Sequence, residues 1–252
     1  MIQDKKLLLI LGISLLAALI LLSMNPISQD SGYHQFADSR TIVNIPNFFN
    51  VLSNLPFLIV GFLGIRLMLA GELNLRDAPL NNAYLLFFVG VLLTGLGSGY
   101  YHSRPDNSSL LWDRLAITLS FMAFFCAIVG ECISTSLAKR LLLPLLALGI
   151  ASVCYWKITE SHGQGDLRPY ILIQFLPIAL IPLILWQYDG KQKGCQYVWY
   201  VLGAYFLAKI AESLDAGIYQ YLHIISGHSL KHLLVGFGTY IVYATLKARP
   251  NG

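Results

Sequence analysis

The chain has 252 residues, is 56% hydrophobic and only 12% charged, and has a mean hydropathy of +0.62. A soluble domain carries about twice that charge. A net charge of +4 with no clustered run of Lys and Arg excludes a nucleic-acid partner, and the long apolar runs exclude a pair of soluble domains. The four cysteines, Cys126, Cys132, Cys154 and Cys195, have no C-x-x-C spacing and read as small buried hydrophobes. The expected fold is all-α and polytopic: a seven-transmembrane-helix core with an additional N-terminal span.

Eight apolar segments are predicted, at about 7–24, 48–69, 82–101, 110–130, 139–156, 168–187, 196–217 and 228–247. The first follows Lys5-Lys6, lacks a small-x-small cleavage site and is long for the apolar part of a signal peptide. It is read as an uncleaved span, with a cleaved leader as the alternative. The division is 1–30 for this span and 31–250 for the seven-helix unit. Residues 83–101 and 169–186 hold no charge, and each is near the ~20 residues that cross a bilayer. The seventh segment carries Lys209, Glu212 and Asp215. Lys209–Glu212 reads as a structural ion pair, and Asp215 is a candidate acceptor for a ligand histidine's second N–H. Lys231 is expected to snorkel.

Lys and Arg in the loops orient the bundle. With the N-terminus inside, Lys5, Lys6, Arg66, Arg76, Lys139, Arg140, Lys191, Lys193, Lys247 and Arg249 lie on the inner side, against Arg40, Arg104, Lys157 and Arg168 outside. The loops 25–47, 102–109, 157–167 and 218–227 then face outward. His102, Asp113, His228 and His232 fall near that same outer face.

Three patches converge there. SGHSLKHLLVG (226–236) puts His228 and His232 four apart, on one helix face. GLGSGYYHSRPDNSSLLWDR (95–114) puts Ser98 and His102 four apart, with Gly95, Gly97 and Gly99 allowing close helix approach and RPDNSS forming a turn. Asp113 follows His102 by eleven residues, and a carboxylate inside a span is a functional hypothesis by default. A single His at a helix end is more often a boundary residue, but three imidazoles and a carboxylate at one depth favour a metal site. Three histidines with an open fourth position form the ligand set of a catalytic zinc, though they suit other divalent ions too. Zinc acidifies its bound water, Asp113 can orient that water or take its proton, and Ser98 can donate to the oxyanion or simply pack. His34, His162 and His223 read as interfacial. HGQGDLRPY (162–170) reads as turn glycines with an Asp166–Arg168 surface pair, or as a lid at the pocket mouth.

The ordered set Ser98-x3-His102, Asp113 at plus eleven and His228-x3-His232, with FFNVLSNLPFLIVG (48–61) including Asn50, Ser53 and Asn54, resembles the alkaline ceramidase family. The wider superfamily joins these enzymes to the progestin/adipoQ receptors. The resemblance covers about residues 33–247. It implies a seven-helix core with Zn2+ on His102, His228 and His232, Ser98 as oxyanion helper and Asp113 as water partner. It also implies hydrolysis of a ceramide-type lipid, drawn from the bilayer, to a fatty acid and a sphingoid base, with segment 7–24 outside the core. Eukaryotic members carry an acidic calcium site before and at the start of the first core helix. Here YHQFADSRTIVNIPNFFN (33–50) has one carboxylate, Asp38, and Asn47 stands where a glutamate is expected, so no calcium site of that kind is expected. The pattern resembles a bacterial member, placed in the inner membrane with its site toward the periplasm. The rival reading is a heptahelical receptor with a structural zinc; a transporter ranks behind both.

Overall fold

A computed structural model describes residues 2–70, 78–190 and 194–249. Its helices are α1 (Ile2–Ser23), α2 (Phe48–Leu52), α3 (Leu55–Leu69), α4 (Ala78–Ser103), α5 (Asn107–Cys132), α6 (Thr135–Ser161), α7 (Arg168–Gln187), α8 (Tyr197–Ser213), α9 (Asp215–Leu222) and α10 (Gly227–Lys247), with one 3-10 turn at Ser31–His34. Among the described residues there is no strand, only an isolated pairing of Ile42 with Ile45. Arg76, Lys191 and Lys193, used above for orientation, lie outside the described residues, as does Pro250.

Every predicted apolar segment is helical. Two of them break. The 48–69 segment turns at Ser53 and Asn54 before Pro56 opens α3, and the 196–217 segment stops at Leu214 before the short α9. Six stretches are long and apolar enough to cross a membrane: Lys5–Ser23, Phe48–Leu69, Leu80–Ser103, Asn107–Cys132, Thr135–Ser161 and Arg168–Gln187. Helices satisfy their backbone groups internally, which a hydrocarbon environment demands. Large side chains such as Leu143, Trp186, Phe206 and Phe237 stand exposed on the outside of the bundle, as lipid-facing groups do. The chain is an integral membrane protein.

α5 is the most buried of these six stretches. Its pairing with α4 is the most extensive in the bundle, and its start is fixed by chemistry in the loop. The Asp106 carboxylate accepts the Ser108 and Ser109 amides, both at 2.7 Å, and the Ser109 hydroxyl accepts the Asp106 amide at 3.2 Å, a reciprocal capping box. Those amide bonds, the Ser109 one foremost, hold the Asp106 carboxyl below the usual carboxylate range. The antiparallel turn from α4 to α5 therefore takes only Arg104–Asp106.

Gly97 sets the distance between α4 and α5. A Cβ there would stand 2.8 Å from the Trp112 carbonyl oxygen and 3.2 Å from the Asp113 amide nitrogen. Gly95 likewise seats Leu58, whose Cδ2 would lie 2.6 Å from a Cβ. The expectation for Gly99 fails: it faces open space, because it points away from both neighbours on the other side of the helix.

α10 packs along α8 and α3. Its Ser226 cap accepts the Ser229 amide at 3.2 Å. α1 packs against α7 at the edge of the bundle, with most of its apolar side chains exposed. Cys126, Cys132 and Cys195 are buried as expected, but Cys154 is exposed, on the outer side of α6.

Candidate functional site

The last turn of α4 and the first two turns of α10 meet at the predicted outer end. His102, His228 and His232 are buried there, with ring centroids 4.8, 4.8 and 4.9 Å apart pairwise. One ligand nitrogen from each lies within 4.8 Å of the others, and this is the only such group of three among the described residues. The Nε2 atoms of His102 and His228 face each other at 3.3 Å. Two imidazole nitrogens at that distance share at most one proton, and a cation accepted by all three lone pairs removes the conflict. The three donors therefore fit a divalent metal ion.

The tautomer of His232 follows from its neighbour. The Ser53 hydroxyl donates its single proton to the Asn50 carbonyl at 3.1 Å, so at its 2.8 Å contact with His232 Nδ1 it accepts. The proton is then on Nδ1, and Nε2 keeps its lone pair for a cation. Ser53 lies at the kink between α2 and α3. Asn50, one turn earlier, accepts from Ser229 at 2.7 Å and from Ser226 at 3.4 Å, tying the kink to the start of α10. Asn47 donates its amide N–H to the His102 carbonyl at 2.8 Å. A carboxylate at that position has no proton to give. The nearby Asp38 carboxylate is taken bidentately by Arg40 at 2.8 and 2.6 Å. Burial works to raise its pKa, but the Arg40 bonds outweigh that and hold it below the usual range.

Two expectations about charged neighbours are corrected. Asp215 does not reach an imidazole N–H. Its Oδ1 accepts the His228 backbone amide at 2.7 Å and its Oδ2 the Ala37 amide at 3.1 Å, because it stands at the free N–H end of α10. Lys231 does not snorkel. Its ammonium lies 2.8 Å from Glu212 Oε1 and 3.1 Å from His228 Nε2, since half-buried Glu212 offers a counter-charge within the bundle. Glu212 also pairs with Lys209, as expected. A metal on His228 Nε2 takes the lone pair to which Lys231 now donates.

Ser98 and Asp113 line one cavity of about 290 Å³ together with His232, Lys231, Glu212 and Arg114. Asp113 Oδ1 and His102 Nδ1 are buried with no hydrogen-bond partner among the described residues. A second cavity of about 110 Å³ is almost wholly apolar and shares Phe57, Thr94, Ile117, Phe121, Tyr205 and Val235 with the first. The two cavities thus share one wall, the larger carrying the charged groups and the smaller almost no polar surface.

Sequence reasoning missed the roof. Phe36 packs its ring 4.7 Å from His102 and 4.9 Å from His228, covering one side of the imidazoles. His34 is a half-buried strut rather than an interfacial residue. It contacts the Tyr101 hydroxyl and Asn107 Oδ1, both at 3.0 Å. His162 and His223 are exposed, as expected. Asp166 and Arg168 do pair, but Asp166 is buried and Arg168 also donates to the Leu22 carbonyl at 2.9 Å, tying the end of α1 to the start of α7. The neighbouring Leu167 lines the larger cavity.

The chain is 26% identical over 216 residues to an alkaline ceramidase of Caenorhabditis elegans and 24% identical over 221 residues to one of Caenorhabditis briggsae. Each alignment covers 81% of this chain and 75% of the relative. The family model Ceramidase matches residues 40–249, a span that begins before the Ser53 kink and takes in the three histidines, Ser98 and Asp113. By that match the chain belongs to the ceramidase family.

Proposed function

We propose that the chain is a zinc-dependent intramembrane hydrolase that cleaves the amide bond of ceramide-like lipids to a fatty acid and a sphingoid-type amine. The observation that carries this reading is a cluster of three buried imidazoles, one of which, His232, lines a cavity together with Ser98 and Asp113. The names of the nematode relatives support the same bond class. The hydrolytic unit is 31–250, with 1–30 as an accessory span.

His102, His228 and His232 hold the ion. Zinc bound there supplies Lewis acidity that brings the pKa of water down to about 7. Asp113, with one carboxylate oxygen unpartnered, takes the proton of the attacking water and passes it to the leaving amine. The Ser98 hydroxyl donates to the carbonyl oxygen as it gains negative charge. The apolar chamber takes an acyl chain, and Phe36 keeps outer-side water off the imidazoles. In the orientation set by Lys and Arg the site faces outward, which in a bacterial inner membrane is the periplasmic face.

The test is lipid mass spectrometry after incubation with purified wild type and His228→Ala. The wild type should deplete an amide lipid and release its acid in matched amounts, and the variant should do neither. An unchanged lipid profile with zinc-loaded wild type across ceramide-like amides contradicts the reading.

A further inference from the structure

Arg114 has no role in the chemistry above, yet it lines the same polar cavity. It is only 5% exposed, and no carboxylate oxygen lies within ion-pair distance of its guanidinium among the described residues. One nitrogen, Nη2, donates to Gln29 Oε1 at 2.6 Å, whereas Nη1 is buried without a partner. Aromatic faces surround the group: Trp156 at 4.1 Å, Tyr170 at 4.7 Å and Tyr33 at 5.7 Å. Such faces stabilise a cation and hold its plane, but they do not supply the acceptor that a desolvated N–H requires.

The adjacent carboxylate does not supply it either. Asp113 precedes Arg114 on α5, and consecutive residues of a helix point in different directions. Glu212, the other carboxylate on the cavity wall, is already shared by Lys209 and Lys231. The wall therefore carries three cations, Arg114, Lys209 and Lys231, against two carboxylates, an excess of positive charge before any metal binds.

We infer that Arg114 is a specificity-determining residue that holds an oxyanion on the lipid head group, of the phosphate or sulfonate class, beside the scissile amide. The inference rests on the amide-lipid reading and narrows it: the substrate is a ceramide-like amide whose head group is anionic rather than a neutral hydroxyl. A planar guanidinium with a free N–H, pre-oriented by aromatic rings, is suited to a tetrahedral oxyanion. Arg114 lines the same cavity as Ser98 and Asp113, so that anion shares one chamber with the bond to be cut. Gln29 and Tyr33, from the segment after α1, then form part of the head-group site.

The test compares N-acyl lipids with identical chains whose head group is a hydroxyl, a phosphate or a sulfonate, with binding read by native mass spectrometry and turnover in parallel. Inorganic phosphate alone is the control for a free ion. Wild type should bind the anionic lipids at least about tenfold more tightly than the neutral one, and Arg114→Gln should lose that preference while holding the neutral lipid within about twofold. Arg114→Lys, which keeps the charge and most of the volume, should retain part of the preference. Equal affinity of wild type for all three lipids overturns the inference without the aid of any variant. So does Arg114-dependent binding of inorganic phosphate with no preference among lipids. If anionic lipids bind through Arg114 but no lipid is cleaved, the head-group site stands and the hydrolase reading fails. If the neutral lipid is cleaved as well as the anionic ones, the hydrolase stands and the head-group site fails.

Discussion

Removing the Ser53 hydroxyl tests how the site is held, because Ser53 touches no substrate. In Ser53→Ala, the His232 Nδ1–H loses its acceptor at 2.8 Å and keeps only the Asn50 backbone carbonyl, which already accepts from Asn54. The ring is then held less firmly and can rotate or take the other tautomer, which places a proton on the nitrogen meant for the metal. Loss of such an outer hydrogen bond weakens metal affinity by roughly 10- to 100-fold, which corresponds to about 1.4–2.7 kcal/mol. The fold should survive, since Asn50 still ties α2 to α10 through Ser229 and Asn54 still donates to the Asn50 carbonyl at 2.7 Å. The assay is zinc competition against a fluorescent chelator in detergent, with circular dichroism as the check on helicity. Wild-type zinc affinity in a folded Ser53→Ala protein refutes the tautomer argument.

Other outcomes follow from the same geometry. Ser98→Ala should retain zinc and lose about 10²- to 10³-fold in kcat, whereas His232→Ala should lose zinc and activity together; metal analysis beside turnover separates them. Gly97→Ala drives a Cβ to 2.8 Å from the Trp112 carbonyl and should cost about 1–3 kcal/mol in thermal unfolding. Gly99→Ala, which meets nothing within 4 Å, should be neutral or stabilising. The Asp38 carboxyl is held below its ordinary value by Arg40, so its contribution to stability is present above the unfolded pKa of about 3.9 and fades as pH falls through the lower folded value. The gap in melting temperature between wild type and Asp38→Asn should therefore be full at pH 7 and shrink below about pH 4. A gap that widens on acidification contradicts the sign.

The positions of the helices were legible because long apolar runs have few alternatives in a membrane, and each of the eight segments is helical, two of them broken into two helices. Breaks inside them were not. In NVLSNLPF, Pro56 marks a break nearby, but not the geometry at Ser53 and Asn54, which is fixed by hydrogen bonds to α10, distant in sequence. The three histidines were legible through i,i+4 spacing and a common depth. Their supports were harder to see. Ser53 was noticed as part of a pattern but not as the partner of His232, and Phe36 sits in a loop with no periodicity to mark it. Charged residues misled where sequence gives a side chain but not its counter-charge. Asp215 met a backbone amide and Lys231 met Glu212, since each took the nearest partner that folding brought to it.

The measurement closest to the central claim is zinc titration of metal-stripped protein with amide hydrolysis as the readout. The account predicts no turnover in the stripped protein and recovery that saturates at about one zinc per chain, with no recovery in His102→Ala, His228→Ala or His232→Ala. Full hydrolysis by protein shown to hold almost no metal, or recovery that ignores the three histidines, contradicts it.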